Sequence, residues 1–227
     1  MQLSIIIPTL EEANSIIDVL TDLQPLRKEG HEVIVVDGGS LDDTVVYSKL
    51  LVDKVIVVER SRAKQMNAGA RHAGGEVLLF LHADTRLPVN VDKTICEGLT
   101  ATKRKWGRFD VRFTGRHFVY RIIELSMNWR SRLSSIATGD QAIFVIRSLF
   151  NDIGGFPDIP LMEDIALCKK LKSYGNPLNL SSRVITSSRR WERRGVIRTI
   201  LLMWRLRLAF FLGADPNRLV KIYYPGS

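Results

Sequence analysis

Short apolar runs alternate with segments of helical periodicity through the first 81 residues, and this alternation limits the folds available to the chain. The runs are typical of strands, and the segments between them repeat apolar residues every three or four positions. Because the runs hold few polar residues, both faces of the strands must be covered. We therefore predict an α/β fold with a mostly parallel central sheet and helices on both faces. The predicted strands are 3–7, 32–36, 55–58 and 77–81, and the predicted helices are 12–23, 42–51 and 62–73.

The second half of the chain departs from this regular alternation. Helical spacing predicts helices over 91–102, 118–136 and 161–174, and apolar stretches predict strands over 108–114, 140–146 and 184–186. No repeat or linker divides the 227 residues, a length that suits one globular domain.

The charge balance indicates an anionic partner or a solvated basic surface. Lys and Arg number 33 against 24 Asp and Glu, a net charge of +9. No nucleic-acid-binding motif accompanies this charge, so we expect no nucleic acid partner. The two cysteines have no metal or redox spacing, and no basic, signal-like region precedes the first strand, so we expect a cytoplasmic protein.

Residues 195–212 form a basic and apolar C-terminal segment with two open interpretations. The run is shorter than a membrane span and is interrupted by Arg198, Arg205 and Arg207. A central Arg costs about 2.5–3.5 kcal/mol on insertion, which disfavours spanning. The segment is either a helix packed on the domain or an interfacial helix on the inner, anionic membrane surface, which makes the protein peripheral.

Polar residues follow three of the predicted strands, at the edge where parallel sheets bind ligands. They are Pro8 to Glu12, Asp37 to Ser40 and His82 to Asp84. Neither a dinucleotide-binding glycine motif nor a P-loop follows the first strand. A bound diphosphate would need another counter-charge, and a divalent cation on Asp84, assisted by Arg62 and Lys64, would supply it.

The order of these motifs resembles that of family 2 glycosyltransferases, which have the GT-A fold and use a nucleotide-sugar donor. The matching segments are 4–12 (SIIIPTLEE), 35–44 (VVDGGSLDDT), 62–70 (RAKQMNAGA), 82–84 (HAD), 162–164 (MED) and 189–191 (RRW), and segment 139–142 (GDQA) matches small members. Three positions depart from the usual pattern: Glu11 replaces Asn, Gly38 replaces the second Asp of one motif, and His82 replaces the first Asp of the DxD motif.

The resemblance implies roles for individual residues and for parts of the chain. It implies Asp164 as general base and Asp84 as ligand of Mg²⁺ or Mn²⁺, with a UDP-sugar favoured over a GDP-sugar as donor and an unidentified hydroxyl acceptor. It also implies a nucleotide-sugar-binding half (1–88, Rossmann-like), an acceptor and catalytic half (89–191) and a C-terminal helical segment (192–227). The implied substrate-binding residues are Pro8, Thr9, Glu12, Asp37, Arg62, Gln65, Ala83, Glu163, Arg190 and Trp191.

The chemistry fits this implication, although other interpretations stay open. An inverting transfer needs a base for the acceptor hydroxyl and positive charge for the leaving diphosphate. Glu163 and Asp164 also suit the first turn of a helix, and Trp191 also suits packing. The alternative functions are a sugar-1-phosphate nucleotidyltransferase, whose expected glycine-rich loop is missing after the first strand, and a non-catalytic membrane-surface module.

Overall fold

The computed structural model describes residues 1–115 and 117–224, without the side chains of Arg190, Arg193 and Arg194. Within these residues the strands form one mixed sheet of eight strands. In chain order they are β1 (Leu3–Thr9), β2 (Glu32–Asp37), β3 (Lys54–Val57), β4 (Val77–Phe80), β5 (Thr85–Arg86), β6 (Trp106–Phe113), β7 (Phe144–Ile146) and β8 (Leu178–Thr186). Their order across the sheet is β3-β2-β1-β4-β7-β6-β8-β5.

The first four strands form a parallel unit, as predicted. β1 pairs in parallel with β2 and β4, and β2 pairs in parallel with β3. The connecting helices are α1 (Ala13–Asp22), α2 (Gln24–Lys28), α3 (Thr44–Ser48) and α4 (Arg62–His72). The predicted helices 12–23 and 62–73 agree with α1 and α4 within one residue, whereas the helix predicted over 42–51 is shorter and α2 was not predicted.

The later strands add antiparallel pairs to this unit. β7 lies antiparallel between β4 and β6, and β8 pairs in parallel with β6 and antiparallel with β5. One sheet therefore runs through both halves of the chain. The remaining helices are α5 (Val91–Thr102), α6 (Phe118–Ser134), α7 (Arg147–Asp152), α8 (Glu163–Lys172), α9 (Arg189–Arg194), α10 (Val196–Phe211) and α11 (Pro216–Tyr223).

Three predicted boundaries in the second half are wrong. The strand predicted over 140–146 begins only at Phe144, because Gly139–Gln141 forms a 3₁₀ turn and Ala142 takes a φ of 45°. The helix predicted from residue 161 begins at Glu163, because Met162 has a φ of 68°. The strand predicted over 184–186 is the end of the longer β8, whose first residues include polar side chains.

Helices cover both faces of the sheet, as predicted, and each face has its own core. Side chains of β1 alternate between the two: Ile6 packs on one face with residues of α4, α7, α8 and α10. Ile5 and Ile7 pack on the other face with residues of α1 and α5. This alternation is the two-residue period of a strand buried on both sides.

Side chains of α6 take the place of a neighbouring strand along part of β6. β6 pairs with β7 only at Trp106 and Gly107. Farther along, the buried amide of Asn128 accepts from Val111 N at 2.9 Å and donates to Val111 O at 3.1 Å. Glu124 accepts from Phe113 N at 2.7 Å. α6 therefore satisfies backbone groups of β6 that no strand reaches.

Among the described residues, no helix is long and apolar enough to cross a membrane.

The contact between α4 and the sheet requires a residue without a side chain at position 69. A Cβ on Gly69 would overlap a methyl carbon of Ile6 and lie 3.0 Å from one of Val36. We predict that Gly69→Ala lowers the free energy of unfolding by about 1–3 kcal/mol through overpacking. This outcome opposes intrinsic helix propensity, which favours Ala over Gly by about 1 kcal/mol.

Urea unfolding monitored by circular dichroism measures the effect. Gly98→Ala in α5 is the matched control, because its Cβ would meet only the end of the Leu178 side chain, which can move. We expect the control to change stability little or to increase it. A Gly69→Ala variant as stable as wild type would contradict the packing described here.

Candidate functional site

The carboxyl ends of β1 and β2 are joined around the carboxylate of Asp37. Asp37 is fully buried, and its Oδ1 accepts from the hydroxyl of Thr9 at 3.0 Å. The carboxylate also accepts from the backbone N–H groups of Gly39 and Ser40 and from the Ser40 hydroxyl, at 2.6–2.8 Å. These four donors match the roughly four acceptor positions of a carboxylate and fix the loop after β2.

Gln65 of α4 binds the backbone at the same two strand ends. Its buried side-chain amide donates to Thr9 O and Val36 O, each at 2.8 Å. A Cβ on Gly38 would lie 3.3 Å from this amide, which gives a reason for a glycine where the family usually has Asp. The described contacts of Gln65 are thus with the protein, and its part in substrate binding stays a prediction.

The loop after β1 holds two glutamates. Glu11 has a φ of 56°, a left-handed conformation that Asn adopts more readily than Glu, in keeping with the Asn usual at this place. Its carboxylate accepts from Leu41 N at 2.8 Å. Glu12 Oε2 accepts from the Ser15 hydroxyl at 2.6 Å and faces Arg189 across the site.

Among the described side chains, Arg189 pairs with both Asp84 and Glu12. Arg189 Nη2 lies 3.4 Å from Asp84 Oδ2 and 3.2 Å from Glu12 Oε2. Two carboxylates that converge on one positive group also suit a divalent cation, because Mg²⁺ takes carboxylate oxygens in proteins. Arg189 lies in the matched segment 189–191, but its contact with Asp84 was not predicted, because the two residues are 105 positions apart in the chain. Ala83 lies between His82 and Asp84, and its side chain packs in the core on the face of the sheet that α1 covers.

His82 is directed towards the 3₁₀ turn. Its Nδ1 lies 3.1 Å from Asp140 Oδ1, and a Cβ on Gly139 would overlap the imidazole ring. The imidazole of His82, which replaces the first Asp of the DxD motif, therefore occupies space that a side chain at position 139 would need.

Asp164 is held at the start of α8 by two backbone amides. Its Oδ2 accepts from Gly139 N at 2.9 Å, and its Oδ1 accepts from Ile165 N at 2.7 Å. Both bonds orient the carboxylate and leave each oxygen with a further acceptor position. A cavity of about 10 Å³ joins Asp164 to the loop after β1, since Pro8, His82, Gly139 and both acidic residues of α8 line it.

The groups around Asp164 carry strong and opposed charges. Burial raises the pKa of Glu163, and the charge of Asp164 raises it further, while Arg62 opposes the shift. Burial, assisted by the charge of Arg207, lowers the pKa of Arg130 to about 10, and the charge of Asp164 opposes that change. Burial also lowers the pKa of Arg207, against the charges of Asp164 and Asp140. Neither of these arginines was predicted as a site residue.

The remaining predicted residues lie around this edge. Arg62 is exposed at the start of α4, where Ser61 is the N-cap, and Lys64 pairs with Glu59 at 2.6 Å. Trp191 is half-buried and packs edge-on against Phe113 at 5.6 Å between ring centroids. The side chain of Arg190 lies outside the described residues.

A second group of possible metal ligands lies at the opposite edge of the sheet. Among the described residues, Glu29, His31 and Asp92 place ligand atoms within 4.8 Å of one another. His31 Nδ1 accepts from Leu3 N at 3.2 Å, so Nε2 carries the ring proton and faces Asp92 at 3.6 Å. This pair lies at the amino ends of the strands, whereas Asp84 follows the carboxyl end of β4.

Comparisons with solved structures place the fold. S. aureus TarS 1-349 matches with a TM-score of 0.68 and 21% identity over 83% of this chain and 61% of that one. The mannosyltransferase PcManGT from Pyrobaculum calidifontis, in complex with GDP-Man and Mn²⁺, matches with a TM-score of 0.63 and 22% identity over 92% and 61%. Glucosyl-3-phosphoglycerate synthase from Mycobacterium tuberculosis, in complex with Mg²⁺ and UDP, matches with a TM-score of 0.59 and 17% identity. This match covers 82% of this chain and 70% of that one.

These structural matches establish a shared fold, the GT-A fold. The chain spans about 61% of the length of the first two proteins. No curated protein matches the chain by sequence. The domain described as Glycosyl transferase family 2 matches residues 4–150, more than half of the chain. The chain therefore belongs to glycosyl transferase family 2.

Proposed function

We propose that the protein is a metal-dependent, inverting glycosyltransferase that moves a sugar from a nucleotide-sugar to an acceptor hydroxyl. The supporting observation is the convergence of acidic groups at one edge of the sheet. Asp37 and Asp84 follow β2 and β4, and Asp164 reaches the same edge from α8 through its bond to Gly139. Open α/β sheets bind ligands at this edge.

The donor nucleoside lies, on this proposal, over the ends of β1 and β2. Pro8, Thr9 and Asp37 are buried at these strand ends, so on this proposal they and Gln65 hold the loops that meet the nucleoside. Arg62 and Arg190 are the proposed cationic partners of the diphosphate. TarS has been crystallised with UDP-GlcNAc and the glucosyl-3-phosphoglycerate synthase with UDP, which favours a UDP-sugar, and PcManGT with GDP-Man keeps a GDP-sugar as the alternative.

Asp84 is the proposed ligand of Mg²⁺ or Mn²⁺, with Glu12 beside it. A bound divalent cation would stabilise negative charge on the leaving diphosphate. The guanidinium of Arg189 occupies the position between the two carboxylates in this structure. On this proposal the guanidinium would leave Asp84 when a cation binds and would then pair with the diphosphate.

Asp164 is the proposed general base. Its backbone partners fix the direction of the carboxylate, and its remaining acceptor positions are available to an acceptor hydroxyl. Attack of that hydroxyl oxygen on the anomeric carbon breaks the bond to the diphosphate, while the hydroxyl proton moves to Asp164.

Replacement of the base tests the proposed function directly. Asp164→Asn should keep the affinity for UDP with Mn²⁺ and lose at least about 100-fold in turnover, because an amide cannot accept the proton. The measurement is UDP or GDP release from nucleotide-sugars by the purified protein with Mn²⁺. Asp92→Asn, in the first turn of α5, is the matched control and should keep wild-type turnover. Turnover of Asp164→Asn within a few-fold of wild type would rule out this base.

Calorimetry with Mn²⁺ tests the cation site. Asp84→Ala should abolish the Mn²⁺-dependent part of UDP binding in a folded protein. Arg189→Gln should tighten binding of Mn²⁺ alone by up to about fivefold, since a partly exposed ion pair contributes about 0.2–1 kcal/mol. Unchanged UDP affinity in Asp84→Ala, or weaker Mn²⁺ binding in Arg189→Gln, would refute the assignment.

The pH dependence of stability tests the environment of Glu163. Because its pKa is raised in the folded state, the folded protein holds this proton more tightly than the unfolded chain. The contribution of Glu163 to the free energy of unfolding is fully present at low pH and is lost as the pH rises from about 5 towards 8. Glu163→Gln removes the titration, so the wild-type melting temperature should fall relative to that of the variant over this range. Thermal melts at several pH values measure the difference, and parallel curves would contradict it.

A further inference from the structure

Two helices at the surface expose continuous apolar stripes. On α6 the stripe residues are 51% to 79% exposed, and on α10 they are 55% to 74% exposed. Their spacing of three or four positions puts each set on one side of its helix. The α6 stripe consists of Phe118, Ile122, Leu125, Trp129 and Leu133, and the α10 stripe consists of Ile197, Leu201, Trp204, Leu208 and Phe211.

The two helices are neighbours. Their first turns share an apolar cleft of about 480 Å³, lined by His117, Tyr120, Val196 and Ile197. Val196 and Ile200 of α10 pack against the α6 cluster around Ile123. Nearer their other ends, the charge of Arg207 affects the pKa of Arg130.

Each helix buries the side opposite its stripe. On α6 that side holds Tyr120 and Ser131, and on α10 it holds Leu206. The stripes therefore face away from the core, and we call the two stripes together the α6–α10 face. Exposed apolar side chains grouped in this way on neighbouring helices mark an interaction site.

We propose that the α6–α10 face docks on an anionic membrane surface. The two helices carry six arginines, three on each. Arg121 and Arg132 pair with the carboxylates of Glu124 and Asp110, and Arg130 and Arg207 lie on the inner sides of the helices. The single acidic residue of the two helices, Glu124, is buried. Arg198 and Arg205 are exposed at the border of the α10 stripe. Exposed Trp129 and Trp204 add aromatic rings of the kind that lie at the boundary between lipid and water.

The charge pattern favours a lipid surface over a second copy of the chain. Contact between two α6–α10 faces would bring the exposed Arg198 and Arg205 of both copies together, whereas anionic headgroups complement these guanidinium groups. Apolar side chains enter the headgroup region while the arginines keep their charged ends at its surface.

The proposed docking surface lies next to the proposed catalytic site. α9 joins them: Arg189 contacts Asp84, Trp191 packs on Phe113, and α10 begins two residues after α9 ends. Arg130 of α6 and Arg207 of α10 lie on the inner sides of these helices, where the charge of Asp164 affects the pKa of both guanidinium groups. A docked protein would hold this site close to the membrane surface.

Vesicle co-sedimentation tests the proposal and needs neither donor nor transfer. The probes are vesicles of phosphatidylcholine alone and of equal parts phosphatidylcholine and phosphatidylglycerol, at low and high salt. Wild-type protein should bind the anionic vesicles at low salt, release them at high salt and bind neutral vesicles little. Leu125→Gln/Trp129→Gln on α6 and Trp204→Gln/Leu208→Gln on α10 should each lower the partition coefficient at least about tenfold. Arg198→Gln/Arg205→Gln should lower it to a similar extent, at about fivefold per cation.

The matched control is Leu50→Gln/Val89→Gln, which replaces two exposed apolar residues elsewhere and should bind like wild type. Circular dichroism and UDP calorimetry confirm that each variant is folded and keeps its donor site, so failure of docking is distinguishable from failure of the proposed transferase activity. Absence of wild-type binding to anionic vesicles at low salt would overturn the proposal, as would wild-type binding by either stripe variant. A stable dimer in ultracentrifugation that the stripe variants dissociate, without vesicle binding, would assign the face to a second copy.

Discussion

The hydrogen bonds of Asp37 and Gln65 hold together the edge of the sheet on which the candidate site is built. Both side chains are buried, and both bind backbone or hydroxyl groups at the ends of β1 and β2. A buried carboxylate or amide is stable only when its hydrogen-bonding groups are satisfied. These contacts therefore fix the loop after β1, from which Glu12 reaches Arg189, and the proposed cation site depends on that position.

The parallel half of the fold and the location of the site follow from local sequence patterns. The apolar runs predict β1 to β4, and their order brings Thr9, Asp37 and Asp84 to one edge. The second half resists such prediction because its boundaries depend on Ala142 and Met162, whose positive φ values no local pattern announces. The contacts of Arg189, Arg130 and Arg207 join parts of the chain far apart in sequence, so only the folded structure displays them.

Charge at the candidate site is arranged as a balance between acidic groups on loops and cationic groups on helices. Asp84 and Glu12 face Arg189, and Asp164 and Glu163 face the charges of arginines from α4, α6 and α10. On the proposed function, a divalent cation would replace Arg189 beside Asp84, and the diphosphate would become a new partner of this arginine. Substrate binding would thus exchange ion pairs and leave the total charge of the site little changed.

The hydrogen bonds from α6 to the open edge of β6 also affect the solubility of the protein. An uncovered strand edge offers its N–H and C=O groups to a strand of another molecule, and this is a route to aggregation. Asn128 and Glu124 use these groups at Val111 and Phe113 within the same chain. The strands at the two borders of the sheet, β3 and β5, have only four and two residues, and β5 covers β8 only at Ile185 and Thr186. Loss of the α6 contacts would uncover the edge of β6 as well and favour fibrous association.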